Sequence, residues 1–299
     1  MNFISKESCN YILSKDNSAV LNIKAGDTVT FETYDCFSNQ LKNDDDSVCD
    51  IDFDRVNPAT GPLYIEEAKE NQTLKVYIKS IDILDQAVVT TGNNVGVLGH
   101  LLEDRSHKIL KIKDDKAIFN NIELKLSKMI GVIGVAPKDE GVNCGTPGSH
   151  GGNMDCKIIG EDATIYFPVY HDGALLSMGD VHAVMGDGEI GVSGAEIGAN
   201  VTVQVDVLDG VTIKNPVVET KKAYYTIASA LTLDEAYKIA VEDMFDLLIK
   251  KCSLDKDELI MLMSLTGDIE VCQVVDPLKT VRFKIKKKLL NKLNIDRLI

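Results

Sequence analysis

The sequence predicts a mainly β chain with an α+β portion at its C-terminal end, and three observations carry that prediction. Short runs with a period of two, broken by turn residues, fill the stretch from Ser18 to Ile83. The densest glycine region of the chain, Gly141 to Gly198, alternates turns with further strand-like runs. Helical periodicity with capping signals begins only after Thr226. The division expected is therefore residues 1–225 as a mainly β catalytic domain and residues 226–299 as an α+β portion packed on it. A length of 299 residues suffices for one large β domain or two smaller ones.

Taken in order, Ala19–Ile23 and Thr28–Thr33 flank the turn Ala25-Gly26-Asp27, and Thr73–Ile83 follows. In the second run Val29 and Phe31 fall on one face, and Thr28, Thr30 and Glu32 on the other. The acidic stretch from Asp44 to Asp54 ends in an alternating Asp50-x-Asp52-x-Asp54, which invites comparison with a calcium loop. Such a loop needs Gly at its sixth position and Glu at its twelfth, where this chain has Arg55 and Gly61, so a solvated acidic loop is expected instead. Lys108–Lys125 holds strand-like pieces around Asp114-Asp115 and Asn120-Asn121, the second pair being the better hairpin turn. Met129–Ala136 reads as a fully buried strand. Near the C-terminal end, Leu233–Lys251 reads as a helix opened by a Thr232/Glu235 capping box. A second helix fits Asp255–Leu265, capped by Ser253 or Asp255 and ended near Gly267, and Ile269–Val275 reads as a strand stopped by Pro277. The basic tail from Lys279 onward is expected to be a solvated helix face or a subunit contact.

Composition narrows the function. Lys and Arg number 32 against 46 Asp and Glu, a net charge of −14, which disfavours nucleic acid and anionic lipid as partners. The start, MNFISKESCNYIL, has no apolar segment behind a basic one, and no stretch approaches the roughly 18 apolar residues of a spanning helix. Seven scattered cysteines without a CxxC fit reduced thiols, so a cytoplasmic protein with no membrane partner is expected. No GxSxG, P-loop or GxGxxG-plus-helix pattern is present. Cys144 near His150 offers a nucleophile without an orienting third residue.

The polar residues of the glycine-rich region are carboxylates and imidazoles, the ligand types of divalent cations. Asp180 and His182, two apart in an extended segment, project to the same side and could reach one ion. Asp187 and Glu189, flanking Gly188, could be bent toward the same ion. Spacing alone leaves acidic strand ends in turns as the alternative.

Three groups of residues together resemble the acetamidase/formamidase family. The first runs from Pro147-Gly148-Ser149-His150-Gly151-Gly152-Asn153-Met154-Asp155 through Pro168–Ala183 to Gly186-Asp187-Gly188-Glu189. The second comprises Phe31-Glu32-Thr33-Tyr34-Asp35 and Asn57–Ile65, and the third Val271–Pro277 before Thr280-Val281-Arg282. The resemblance implies a barrel-like or sandwich antiparallel architecture, α+β overall, and a metal-dependent amidohydrolase releasing ammonia from small aliphatic amides such as formamide or acetamide. It also implies a homo-oligomer and a divalent metal, Zn²⁺ before Ca²⁺. Asp155, Asp180 and His182 are then the expected metal ligands, with Glu32 or Asp35 completing the sphere. Glu189 is the expected general base, joined by Asp187 and Asn153 as catalytic residues, while Gly151, Gly152 and Glu196 contact substrate. Such chemistry suits an amide, a poor electrophile whose hydrolysis gains from a metal and a proton-transferring carboxylate. The alternatives are a hydrolase of another C–N bond and a β protein that binds a small molecule or metal without turnover.

Overall fold

The computed structural model describes residues 2–299. Two large, mostly antiparallel sheets dominate it, and among the described residues neither closes into a barrel. The first has nine strands in the spatial order Asn2–Ile4, Thr28–Thr33, Ala199–Leu208, Thr73–Ile83, Thr164–Pro168, Val217–Glu219, Ala223–Ala230, Lys279–Lys286 and Asp268–Gln273. The second has eleven, and at its heart the strand Leu176–His182 pairs with Met129–Gly134, with Glu196–Ile197 and with Ala59–Ile65. The mainly β prediction with an α+β C-terminal portion therefore holds, in the form of a sandwich of open sheets.

One apolar core serves both sheets. Val29, Phe31, Val76, Ile78 and Val201 of the first pack with Leu63, Ile130, Ile133, Met178 and Val181 of the second. Each such side chain, withdrawn from water, contributes about 1.5–3 kcal/mol before entropy is counted. The polar face of Thr28–Thr33 is itself partly covered, since Thr30 shares a side-chain hydrogen bond with Thr202 at 2.9 Å. Met129–Gly134 is buried throughout, as its unbroken apolar run requires. Both expected hairpins form, Ser106–Lys113 with Lys116–Phe119 and the latter with Ile122–Lys125. At Asp114-Asp115 both residues take positive φ, +50° and +56°, the conformation a two-residue hairpin demands. The acidic loop stays largely exposed, with Val48 and Ile51 tucked inward against Cys36 and Phe37.

A second core lies under two helices, α1 (Leu233–Ile249) and α2 (Lys256–Thr266). Both open with a full capping box, Thr232 with Glu235 and Asp255 with Glu258, and Asp255 rather than Ser253 is the cap of α2. The expected boundary at residue 225 falls inside the strand Ala223–Ala230, whose sheet runs on without a break into the C-terminal strands. The basic tail departs from expectation. Residues Lys279–Lys286 form a strand, and only Lys287–Lys292 is helical. The reason is alternation: Val281, Phe283 and Ile285 face the second core, while Arg282, Lys284 and Lys286 take the other side.

Candidate metal centre

Strand register assembles the site. His182 stands opposite Glu196 on one neighbouring strand and opposite Met129 on the other, and Gly179 stands opposite Val132, itself opposite Asn153. Gly131 thus lies beside both Asp180 and Asp155, and a Cβ at this position would collide with Asp155 Oδ1 and Asp180 Oδ2. Three of the carboxylate-bearing residues occupy left-handed backbone, Asp155 at φ +41°, Asp180 at +54° and Glu189 at +48°. Non-glycine residues sit there at a cost of roughly 1–3 kcal/mol each, which surrounding structure must offset, and such strain concentrates at functional sites.

The side chains converge. His182 Nε2 lies 3.0 Å from Glu196 Oε2, 3.5 Å from Asp180 Oδ1 and 3.8 Å from Asp155 Oδ1, with His182 itself fully buried. The contact to Glu196 is close without being an aligned hydrogen bond. His182 Nε2, Asp155 Oδ1, Glu189 Oε2 and Glu196 Oε2 are all buried without a hydrogen-bond partner. Two sets of potential ligand atoms result, Asp155/His182/Glu189 and Cys36/Asp180/Glu196, each with its atoms within 4.8 Å of one another. Glu196 is held by the Gly194 N–H, which donates to Oε1 at 2.8 Å.

Electrostatics mark the same atoms. Burial, reinforced by the charges of Asp180 and Asp276, holds the Asp155 carboxyl well above the usual range. Burial and the neighbouring Asp155 do the same to Glu189, and burial raises Glu196 against the opposing attraction of His182. Burial works to lower the His182 pKa, but Glu196 and Asp180 outweigh it and the net shift is upward. So many carboxylates in so little water cannot all stay ionised unless positive charge joins them. The orphaned oxygens and imidazole nitrogen, of the donor types that bind divalent cations, fit such an ion.

A cavity of about 210 Å³ opens onto this cluster, with Asn153, Asp180, Glu189, Glu196 and Asp276 on its polar side and Phe37, Val48, Phe53, Val56 and Val192 on its apolar side. Asp155 and His182 do not line it and are buried.

The expected site residues divide accordingly. Asp155, Asp180, His182, Glu189, Glu196 and Asn153 are brought together. Glu32 is not: its partly exposed carboxylate pairs with Lys6 at 2.8 Å. Asp35 is buried close by, but its Oδ1 accepts the backbone N–H groups of Phe37 at 2.9 Å and Asn39 at 2.7 Å, so it ties its own loop. Burial nonetheless raises its carboxyl to about 6. Asp187 turns away from Glu189 because Arg282 grips both its oxygens, at 2.9 and 2.8 Å, and Lys157 pairs with it at 2.8 Å. Gly151 and Gly152 belong to a strand behind the cavity, and the Gly151 N–H is used by the Gly148 carbonyl. Cys144 is buried against Asn10, its thiol pushed up to about 12 by burial, which suits packing and not nucleophilic attack.

Two residues of the cluster escaped the sequence reading. Asp276, which accepts from Asn153 Nδ2 at 3.0 Å, follows the strand Asp268–Gln273 and carries no local spacing signal. Cys36 follows Asp35 and is buried beside Glu196 and Asp180.

Comparison with known proteins places this geometry in a family. Residues 12–144 and 138–277 match the model of the Acetamidase/Formamidase family, and the chain belongs to that family. It is similar along 99% of its length, and 99% of the other's, to the crystal structure of a predicted acetamidase/formamidase from Thermoanaerobacter tengcongensis, with 48% identity and a TM-score of 0.97. An acetamidase structure from Bacillus halodurans has 43% identity and a TM-score of 0.95, over 97% of this chain and 99% of that one. Among curated relatives, the formamidase of Methylophilus methylotrophus is 39% identical over 109 residues, which span 33% of this chain and only 27% of that protein.

Proposed function

We propose that the protein is a metal-dependent amidohydrolase that converts small aliphatic amides to carboxylate and ammonia. The observation that carries this reading is the buried, unpartnered donor set Asp155/His182/Glu189 beside Cys36/Asp180/Glu196, at the floor of a cavity, in a member of this family. Asp155, Asp180 and His182 would hold a divalent ion, Zn²⁺ before Ca²⁺, with Glu196 and Cys36 in place of the Glu32 or Asp35 expected from sequence. When bound, the ion supplies Lewis-acid polarisation of the amide carbonyl and lowers the pKa of water.

The chain's own groups do the rest. Glu189 reaches the cavity from one side, and its elevated proton affinity suits a carboxylate that takes a proton from water and delivers it to the leaving nitrogen. Asn153 spends one amide hydrogen on Asp276, and its second is free to meet the substrate carbonyl oxygen as charge develops there. The apolar wall of Phe37, Val48 and Val192 receives the acyl group and keeps bulk water away. Cytoplasmic residence and a homo-oligomeric state belong to the same reading, in which Glu196 serves the ion and not the substrate. All seven cysteines are free, which agrees with a reducing compartment.

Ammonia release from formamide and acetamide by the purified protein tests the proposal, before and after chelation and with Zn²⁺, Mn²⁺ or Ca²⁺ restored. Turnover lost with the chelator and regained with one ion is expected. A folded protein that releases no ammonia under any ion overturns it. Glu189→Gln should keep the bound metal and lower kcat by about 10²–10⁴-fold, whereas loss of metal in that variant would make Glu189 a ligand.

A further inference from the structure

We infer that Arg282 is a positioning residue for the hydrolytic site, acting through Asp187 to fix the turn that presents Glu189; the inference rests on the role given to Glu189 above. Arg282 is 1% exposed and is the largest fully buried side chain of the protein. Its guanidinium forks onto both oxygens of Asp187, its Nε donates to Glu270 at 2.7 Å, and its Nη1 lies 3.6 Å from Cys272 Sγ and 3.9 Å from Cys156 Sγ. One side chain thereby touches three of the segments that bring carboxylates into the cluster, those of Asp155, Glu189 and Asp276. Cys156 adjoins Asp155, Asp187 precedes Glu189 by two residues, and Glu270 and Cys272 lie on the strand leading to Asp276.

The backbone completes the clamp. The Gly188 N–H donates to the Cys272 carbonyl at 2.8 Å and the Val274 N–H to the Gly188 carbonyl at 3.1 Å, so the turn is sewn to that strand on both sides of the Asp187–Arg282 pair. Burying a guanidinium costs several kcal/mol unless its partners are well aligned, and an apolar residue would pack this strand more cheaply. A planar fork fixes both the distance and the orientation of the carboxylate it holds, which a lysine cannot do. Glu189, in left-handed backbone at φ +48°, needs such an external constraint. This also gives the acidic residue at 187 a use other than contact with substrate.

The test uses the full-length, metal-saturated protein and the variants Asp187→Asn, which keeps shape but removes charge, and Arg282→Lys, which keeps charge but removes the fork. Amide hydrogen exchange at Gly188 and Glu189 is expected to quicken by about tenfold or more in both, with α1 unchanged. Formamide turnover should lose roughly ten- to a hundredfold in kcat, the scale of a small misplacement of a reacting group, with KM within about twofold and metal content intact. In a Glu189→Gln background, adding Asp187→Asn should change the residual rate by less than about twofold, because the group being positioned is already gone. Unchanged exchange at those two amides in a folded Asp187→Asn protein overturns the inference. So does a full further loss of rate in the Glu189→Gln background, which would mark general loosening of the site. Should Arg282→Lys not fold, Asp187→Asn decides alone. A wild-type protein inactive on every amide overturns the amidase reading, while the exchange arm still decides whether Arg282 and Asp187 fix this turn.

Discussion

Gly131 shows how narrowly the centre is built at the scale of one residue. A methyl group there would occupy space now held by Asp155 Oδ1 and Asp180 Oδ2, and both carboxylates are enclosed on their other sides. Gly131→Ala should therefore leave a folded protein that binds metal at least about tenfold more weakly, the range seen when the surroundings of ligands are disturbed; metal titration with a competing chelator measures it, and unaltered affinity would mean that the carboxylates can part. His150 offers a pH test away from the cluster. It is 4% exposed, its Nε2 has no partner, and burial lowers its pKa from 6.5 to about 4. Above pH 6.5 it is neutral folded or unfolded. As the pH falls from there toward 4 the unfolded chain takes up a proton that the folded chain refuses, so stability is lost on acidification. Between pH 6.5 and 5 this amounts to about 1.5 kcal/mol, since the slope approaches its full value of about 1.4 kcal/mol per unit only below pH 6. Urea unfolding of the wild type and of His150→Gln across that range should diverge by this amount, and parallel curves would count against it.

At the scale of the element, caps and alternation decide most of what forms. Asp255 accepts the Glu258 N–H at 2.9 Å on the exposed end of α2, so Asp255→Ala should cost about 1 kcal/mol in urea unfolding and leave turnover per folded molecule unchanged. The strand Thr28–Thr33, both capped helices and both hairpin turns were legible in the sequence because their causes are local: a period of two, a capping box, residues that accept positive φ. Asp180 with His182 was legible for the same reason. The charge of the basic tail does not reveal its structure, whereas its spacing does: Val281, Phe283 and Ile285 alternate with Arg282, Lys284 and Lys286, the period of a strand. Asp187 departs from the expected contact with the cluster for a different cause. Its partner Arg282 lies 95 residues away, and no local pattern reveals which of two neighbouring carboxylates will be claimed by a distant cation. Cys36 carries no local sign of its role, and Asp276, although it stands within the Val271–Pro277 group, has no spacing partner that marks it until folding brings it to the cavity.

For the molecule as a whole, the centre is a concentration of like charge held by two sheets, and an ion bound there as proposed would stabilise the entire fold. At a free metal concentration about 100 times the dissociation constant the gain is about 2.7 kcal/mol, which for a chain of this size is roughly 4 °C in Tm. Calorimetry with and without chelator measures it, and coincident melting curves would deny that the ion binds the folded state alone. The sheets set a further condition on when this centre can exist. Its parts are spread from Cys36 to Asp276, and the strand Ala199–Leu208 must find partners at Thr28–Thr33 and Thr73–Ile83. At a synthesis rate of about 5–20 residues per second, tens of residues still lie unmade when Glu196 leaves the ribosome. A nascent chain halted before Arg282 holds every ligand proposed above and no clamp for Glu189, so on that reading the side chains that would take up an ion are all made before the one that would fix the turn beside them.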